Sequence, residues 1–419
     1  MRFGLCCLFI VLYLIRPFEF LPSMYGVPIL LVCGVVGLLC VLFAFISGQA
    51  QWYETDTLMV GFFLAILLSH ASHIYFGGIL SAFQKFLPVF LGYFLIAHSI
   101  TTQKQFVVFL YVFTFSICIV AVEGCFQYHQ GVSYFGIEPL LENYNVDKEQ
   151  LSQLRIKWLG PFSDPNDLAL LFVIPVPFLI ARFKQSKIVS LAASTLLILG
   201  IFYTNSRGGV LSLIVAIAGY YVLRYRNKTG LALGVSLGIC LLLVGPSRMG
   251  QMSAVEDSAY GRIEAWYEGF QMFKQSPFFG VGMDMFTEFH TLTAHNSFVL
   301  VMAELGLFGL FFFIGLFWVP LKKIKFFLWG EGRNSLPTEA IALFSAMAAS
   351  LAAVMTAMFF LSRSYTLIPY VLIALIVRML CFYNSELADI FPSGKTLKEV
   401  VVCTVMGVIF INIIIKVLL

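Results

Sequence analysis

Thr293-Ala294-His295-Asn296-Ser297-Phe298-Val299-Leu300-Val301-Met302-Ala303-Glu304-Leu305-Gly306-Leu307-Phe308-Gly309 marks a boundary. A polar segment of about fifty residues, beginning near Gly245, runs here into a stretch apolar enough to sit in lipid. Almost everything on either side is hydrophobic. The fold therefore reads as membrane helices interrupted by a long polar insert, with a histidine where the chain re-enters the bilayer. At ~100° per residue, Gly306 falls ~20° and Gly309 ~40° from His295 around a helix axis, and Glu304 ~180° away. The spacing predicts an imidazole above a smooth glycine seam that another helix can approach closely.

Composition agrees with that boundary. The 419 residues are 60% hydrophobic and only 11% charged, with a mean hydropathy of +0.92, whereas soluble domains carry about 25% charged residues. A polytopic, all-α integral membrane protein follows. Met1 to Phe20 holds a short apolar run without an A-x-A-like cleavage site before Arg16-Pro17, so no cleavable signal is expected. The net charge of +4 is spread along connections and gives no nucleic-acid footprint. The nine cysteines lie mostly inside apolar runs, form no C-x-x-C pair, and read as small lipid-compatible core residues.

Apolar segments of spanning length fall near 4–15 (short), 27–47, 58–74, 79–98, 105–126, 167–181, 188–204, 208–223, 230–245, 296–320, 339–361 and 366–382. A further stretch, 400–419, would cross or lie at the interface, giving about twelve or thirteen spans in one integral domain, 1–419. Orientation follows from the basic residues. With the N-terminus inside, the cytoplasmic connections hold Lys104; Arg182, Lys184 and Lys187; Arg224, Arg226 and Lys228; and Lys322, Lys323, Lys325 and Arg333. The two long loops, 127–166 and 246–294, are then extracytoplasmic, and the second leads into the His295 helix.

In the first loop, Arg155-Ile156-Lys157-Trp158-Leu159-Gly160-Pro161-Phe162-Ser163-Asp164-Pro165-Asn166-Asp167 enters a helix. Pro165 suits its first turn, and Asp164 or Asn166 would cap it. Such an N-terminus is also an anion site, so Arg155, Lys157, Asp164 and Asn166 serve either as a cap and turn or as substrate contacts. In the second loop Ile263, Trp266, Phe270 and Phe273 recur at helical spacing, as in a helix lying in the interface, with Arg262 one turn before Trp266. Pro277 to Gly282 then breaks that helix and turns the chain back toward His295.

Three residues carry chemistry. Arg207, in the short turn Thr204 to Gly209, is an arginine at a membrane boundary, where a cation is expensive unless it meets water or an anion. His295 suits taking a proton from a hydroxyl near neutral pH. Arg207 and Arg262 suit bidentate binding of a diphosphate. One base and two permanent cations on one membrane face suggest transfer away from a pyrophosphate leaving group. Arg363, in Ser362-Arg363-Ser364-Tyr365, is a further cation that would hold diphosphate or glycan. Neither metal nor cofactor is expected: His290 and His295 are five apart, no H-E-x-x-H, P-loop or Rossmann pattern occurs, and neither long loop has a D-x-D. His70 and His73 read as structural, and Lys85 and Glu123 as an ion pair between adjacent spans.

The pattern resembles the O-antigen ligase and Wzy-type polymerase superfamily, often called Wzy-C, whose members are polytopic inner-membrane glycosyltransferases with a large periplasmic loop. Its signature of histidine, then Asn, Ser or Gln, nine residues, Gly, two residues, and Gly, Thr or Tyr is matched by His295, Asn296, Gly306 and Gly309. Ser206 to Gly209 (S-R-G-G), Gly261 to Trp266, Pro277 to Gly282 and Gly160 to Asp167 also look like family segments. The motifs fall within residues 155–320; the remainder resembles the family in topology.

The resemblance implies a glycan donor on undecaprenyl (polyprenyl) pyrophosphate and metal-independent, inverting transfer. It implies that His295 activates the acceptor hydroxyl and that Arg207 and Arg262 bind pyrophosphate. Arg155, Lys157, Asp164, Asn166, Trp266, Asn296, Arg363 and Tyr365 are the candidate substrate contacts. The acceptor would be lipid A core, another lipid-linked repeat, or a protein hydroxyl. From other classes, a lipid-linked sugar flippase would need polar residues at the bilayer midplane and paired broken helices. An envelope scaffold would tolerate loss of His295 and both arginines.

Overall fold

The computed structural model describes residues 1–146, 149–226, 252–383 and 392–418, with 230, 232, 234 and 236. It is overwhelmingly helical. Among the described residues, eight helices are long and apolar enough to cross a membrane: α2 (Ile29–Ile46), α3 (Glu54–Ala71), α4 (Phe76–Ser99), α5 (Gln103–Gln130), α9 (Arg207–Tyr225), α12 (Ser297–Trp329), α13 (Thr338–Met358) and α15 (Gly394–Leu418). Three expected spans form shorter apolar helices. These are Pro165–Ala181 (α6, Pro165–Val173, then α7, Val176–Ala181), α8 (Lys187–Tyr203) and α14 (Leu367–Tyr383). The short expected span at 4–15 is α1 (Arg2–Ile15), of 14 residues. Most of the expected span 230–245 and the start of the second loop lie outside the described residues. The protein is an integral membrane protein.

The first polar loop departs from the all-α expectation. Helix α5 continues past the expected end to Gln130, where Gly131 caps it at φ 78°. Two antiparallel strands follow, β1 (Leu140–Val146) and β2 (Glu149–Arg155), paired from Leu140 with Arg155 to Val146 with Glu149. Their mostly polar sequence lacks the apolar alternation that announces a half-buried strand.

The chain divides into two compact units. The first comprises Met1–Gly37, Ser99–Gln251 and Phe326–Ala357. In it the segment after β2 is sewn onto three helix ends. Ile156 N donates to Tyr203 O at 3.2 Å. The Gln127 amide both accepts from Lys157 N (3.1 Å) and donates to Lys157 O (2.8 Å). The buried Trp158 indole donates to Leu14 O at 2.9 Å. Gly160 (φ 54°) lies against the Arg16 guanidinium, where any Cβ would collide.

The second unit comprises Leu38–His98, Met252–Lys325 and Met358–Leu419. It holds α3, α4, α10 (Met252–Gln275), the one-turn α11 (Phe286–Phe289), most of α12, and α14 and α15. At the start of α3 the wholly buried Asp56 carboxylate accepts from Tyr53 N (2.7 Å) and Tyr93 Oη (2.9 Å) and sits 3.2 Å from His98 Nε2. At the other end of α3, His70 Nε2 lies 3.1 Å from Met283 O and His73 Nε2 2.9 Å from Gly280 O, in keeping with the structural role expected of them. The expected pairing of Lys85 with Glu123 is corrected. Lys85 Nζ meets Asp284 Oδ2 at 2.7 Å, an acid from the second polar loop rather than from a neighbouring span.

Candidate functional site

The histidine does not lie on the helix. Asn296 is the cap: its buried Oδ1 accepts from Phe298 N at 2.9 Å and Val299 N at 3.1 Å, and α12 begins at Ser297. This is the N-cap chemistry that asparagine favours, and it leaves His295 outside the first turn in a left-handed conformation, φ 45°. A non-glycine residue there costs about 1–3 kcal/mol and persists only when its surroundings over-determine it. They do. The Trp266 indole, from α10, donates to Ala294 O at 2.9 Å. From the turn before α14, Ser362 Oγ donates to Thr293 Oγ1 (3.2 Å), Arg363 N to Ser297 Oγ (2.8 Å) and Ser364 Oγ to Ser297 O (2.9 Å). Ser297 Oγ in turn donates to Leu361 O at 2.6 Å. The histidine turn is thus held from both sides in sequence.

The glycine seam is corrected as well. Gly306 sits at a kink inside α12 with φ 62° and ψ −161°. The partner that approaches it is the backbone of Phe278 and Phe279, within the segment Pro277 to Gly282, and not another helix. Leu307 N donates to Pro277 O (2.8 Å), Phe308 N to Phe278 O (3.1 Å), Val281 N to Ala303 O (3.0 Å) and Gly282 N to Glu304 O (2.9 Å). Gly280 (φ 69°) mirrors Gly306, since its own missing Cβ would meet the Glu304 and Leu305 backbone. The family-like P-F-F-G-V-G and H-N…G…G segments are therefore two halves of one backbone zipper. The expectation that 277–282 returns the chain toward the histidine segment is met.

Glu304, deep in α12, joins the same assembly. One carboxylate oxygen accepts from Phe286 N at 3.2 Å and the other from Tyr365 Oη at 2.8 Å. In α10, Arg262 lies one turn before Trp266, half-buried, and burial lowers its guanidinium pKa from the usual value. The structure thus gathers His295, Asn296, Trp266, Arg363 and Tyr365 into one network in the second unit, with Arg262 on the helix that supplies Trp266.

The first unit organises Arg207 in a parallel way. Arg207 is the first residue of α9, and Ser206 is its cap, accepting from Gly209 N at 3.1 Å after a left-handed Asn205 (φ 52°). Asp164 caps α6 by accepting from Asn166 N at 2.8 Å, with Pro165 in the first turn. The two caps are tied through one atom, because Asn166 Oδ1 accepts from Ser206 Oγ (2.8 Å) and from Arg155 Nη2 (3.1 Å). The rest of the Arg155 fork is engaged too, with Nε on Thr204 O (2.9 Å) and Nη1 on Glu142 Oε2 (3.0 Å). Arg155 and Asn166 therefore hold the Arg207 turn in place, and Lys157 is fixed by its backbone to Gln127. Among the described residues, no group of three or more His, Cys, Asp or Glu side chains could hold a metal ion.

Sequence reasoning missed Glu304, placing it only on a face away from the histidine, and missed that Trp266 and Asn296 spend their polar atoms on the protein. Asn296 carried a readable signal, a cap residue immediately before an apolar run. No curated protein and no solved structure matches the chain. A family model does: residues 192–314, which include Arg207, Arg262 and His295, match the O-Antigen ligase model, Wzy_C. That match leaves 1–191 and 315–419 uncovered, and it is to the family that the motifs resemble.

Proposed function

We propose that the protein transfers a glycan from a polyprenyl pyrophosphate, such as the undecaprenyl carrier, to an acceptor hydroxyl on the extracytoplasmic face of a bacterial inner membrane. The acceptor hydroxyl attacks the anomeric carbon of the donor. The carbon–oxygen bond to the pyrophosphate breaks, polyprenyl pyrophosphate leaves, and the acceptor proton passes to His295. Attack opposite the leaving group inverts the anomeric centre. Arg207 and Arg262 neutralise the charge that develops on the diphosphate, which suits bidentate guanidinium forks, so the reaction needs no metal. Arg363 and Tyr365 line the acceptor or glycan side.

One observation carries the role of His295: a strained residue, held on both sides by hydrogen bonds from distant segments, within the family-matched stretch. The basic residues on the opposite connections favour the extracytoplasmic orientation. Lipid A core and a second lipid-linked repeat are the favoured acceptors.

The test uses the full chain in lipid with a labelled polyprenyl-pyrophosphate oligosaccharide. Wild type should release polyprenyl pyrophosphate, and EDTA should leave the rate unchanged. His295→Ala should lose at least about 10²-fold in rate, as expected for loss of a general base, while still binding donor. A product ladder identifies a polymerase, and release that depends on added core identifies a ligase. Equal turnover by wild type and variant would refute the assignment and favour transport or scaffolding.

A further inference from the structure

We infer that Glu304 is a positioning residue for the proposed transfer, with a carboxyl group that holds a hydrogen bond on each oxygen and relays no proton. The inference rests on that reading of His295 and adds a residue to it.

Glu304 is 1% exposed in an apolar helix. A carboxylate so placed is costly unless its oxygens are satisfied, and intramembrane acids mark function by default. Here the donors are neutral: the Tyr365 hydroxyl on one oxygen and the Phe286 amide on the other, with the Asp284 amide also bonded to the carboxyl.

What the carboxylate accomplishes is ring closure. From His295 the chain runs along the first turns of α12 to Glu304, crosses to Tyr365, and returns along the 361–365 turn to Thr293 and Ser297. On its other oxygen and on its own carbonyl, Glu304 holds Phe286 and Gly282 of the loop that leads to the histidine. It is thus bonded to both clamps. Breaking it opens the ring while leaving His295, Arg207 and Arg262 unaltered.

The two possible roles of such a carboxylate predict opposite results for the amide. A proton carrier or counter-charge is destroyed by Glu304→Gln. A double acceptor is nearly preserved: the amide oxygen accepts from Phe286 N, and the amide NH₂ donates to the Tyr365 oxygen, which reverses one bond and breaks none.

The experiment compares Glu304→Gln, Glu304→Leu and Tyr365→Phe in the full chain in lipid, with kcat and donor KM measured separately. Backbone hydrogen exchange is followed over 293–297 and 361–365. Glu304→Leu should lower kcat about 10²-fold, the scale of an ångström-sized misplacement, with donor KM within about threefold of wild type and faster exchange in both segments. Glu304→Gln should keep kcat within about threefold and exchange at wild-type levels. Tyr365→Phe should lower kcat about tenfold alone and add nothing to Glu304→Leu, since both cut the same link.

A Gln variant as inactive as the Leu variant, with undisturbed exchange, would overturn the inference in favour of a charge or proton role. A Leu variant equal to wild type, or Tyr365→Phe fully additive with it, would overturn it outright. Exchange separates this outcome from failure of the transfer reading: wild type without transferase activity refutes the transfer reading, whereas Glu304→Leu with unchanged exchange refutes the frame.

Discussion

Replacing Gly306 with alanine tests the backbone zipper that carries the histidine turn. Two costs add. The φ of 62° and ψ of −161° at Gly306 lie in a region that is essentially glycine-only, which costs an L-residue about 1–3 kcal/mol. A Cβ there would also come 2.5 Å from Phe278 C, 2.6 Å from Phe278 O and 2.7 Å from Phe279 N. These are backbone atoms that cannot swing aside, and overpacking of this kind costs about 1–3 kcal/mol.

The expected total is therefore about 2–6 kcal/mol, measured as the shift in reversible unfolding of the full chain in mixed micelles. Gly131→Ala is the internal control. Its φ is 78°, but nothing lies within 4 Å of the added Cβ, so it reports the conformational cost alone, about 1–2 kcal/mol. Gly280→Ala strikes the same backbone pair from the other side, so the double variant should cost clearly less than the sum of the singles. The same variants should lose glycan transfer more steeply than stability, because Phe278 and Glu304 belong to the frame around His295. Gly306→Ala no more destabilising than Gly131→Ala would refute the zipper.

Further outcomes follow from the other contacts. Asn166→Ala removes the oxygen shared by Ser206 and Arg155 and should cost about 1–3 kcal/mol, with a loss of kcat although Arg207 is intact. Wild-type turnover in Asn166→Ala would show that the Arg207 turn stands without this link. Lys85→Met removes an ion pair whose side chains are 58% and 46% exposed, so unfolding should shift by no more than about 1 kcal/mol; a larger shift would mean that Asp284 depends on it for its left-handed conformation.

What could be read from the chain and what could not divide along physical lines. Lipid-spanning helices are written in composition, because bilayer thickness sets a length and lipid demands apolar residues. Caps are written locally: Asp164-Pro165 and Ser206-Arg207-Gly208-Gly209 start helices where their chemistry says they should. His295 was misplaced onto the helix because helical spacing to Gly306 and Gly309 was given more weight than the cap in Asn296. The kink at Gly306 depends on a backbone, Phe278 to Phe279, whose approach no periodicity encodes. Lys85 was paired with Glu123 on the premise that consecutive spans are neighbours, whereas its partner comes from a distant loop. The β1–β2 hairpin carries no apolar alternation to announce it. Asn166, Trp266 and Asn296 were identified as important, but their partners turned out to be the protein's own backbone and side chains, which only three-dimensional contacts can tell.

The clasp around the histidine turn also imposes an order in time. The residues that seal it, Leu361 to Ser364, stand 64 to 69 positions downstream of the ones they hold. A ribosome adding roughly 5–20 residues per second needs about 3–14 s to bridge that gap. For most of that interval the family-matched stretch, with His295, Arg207 and Arg262, is already complete, yet the turn is not closed. The nascent protein therefore carries His295 for that interval with only its upstream partners in place, and the turn closes when the hydrophilic segment ahead of α14 arrives.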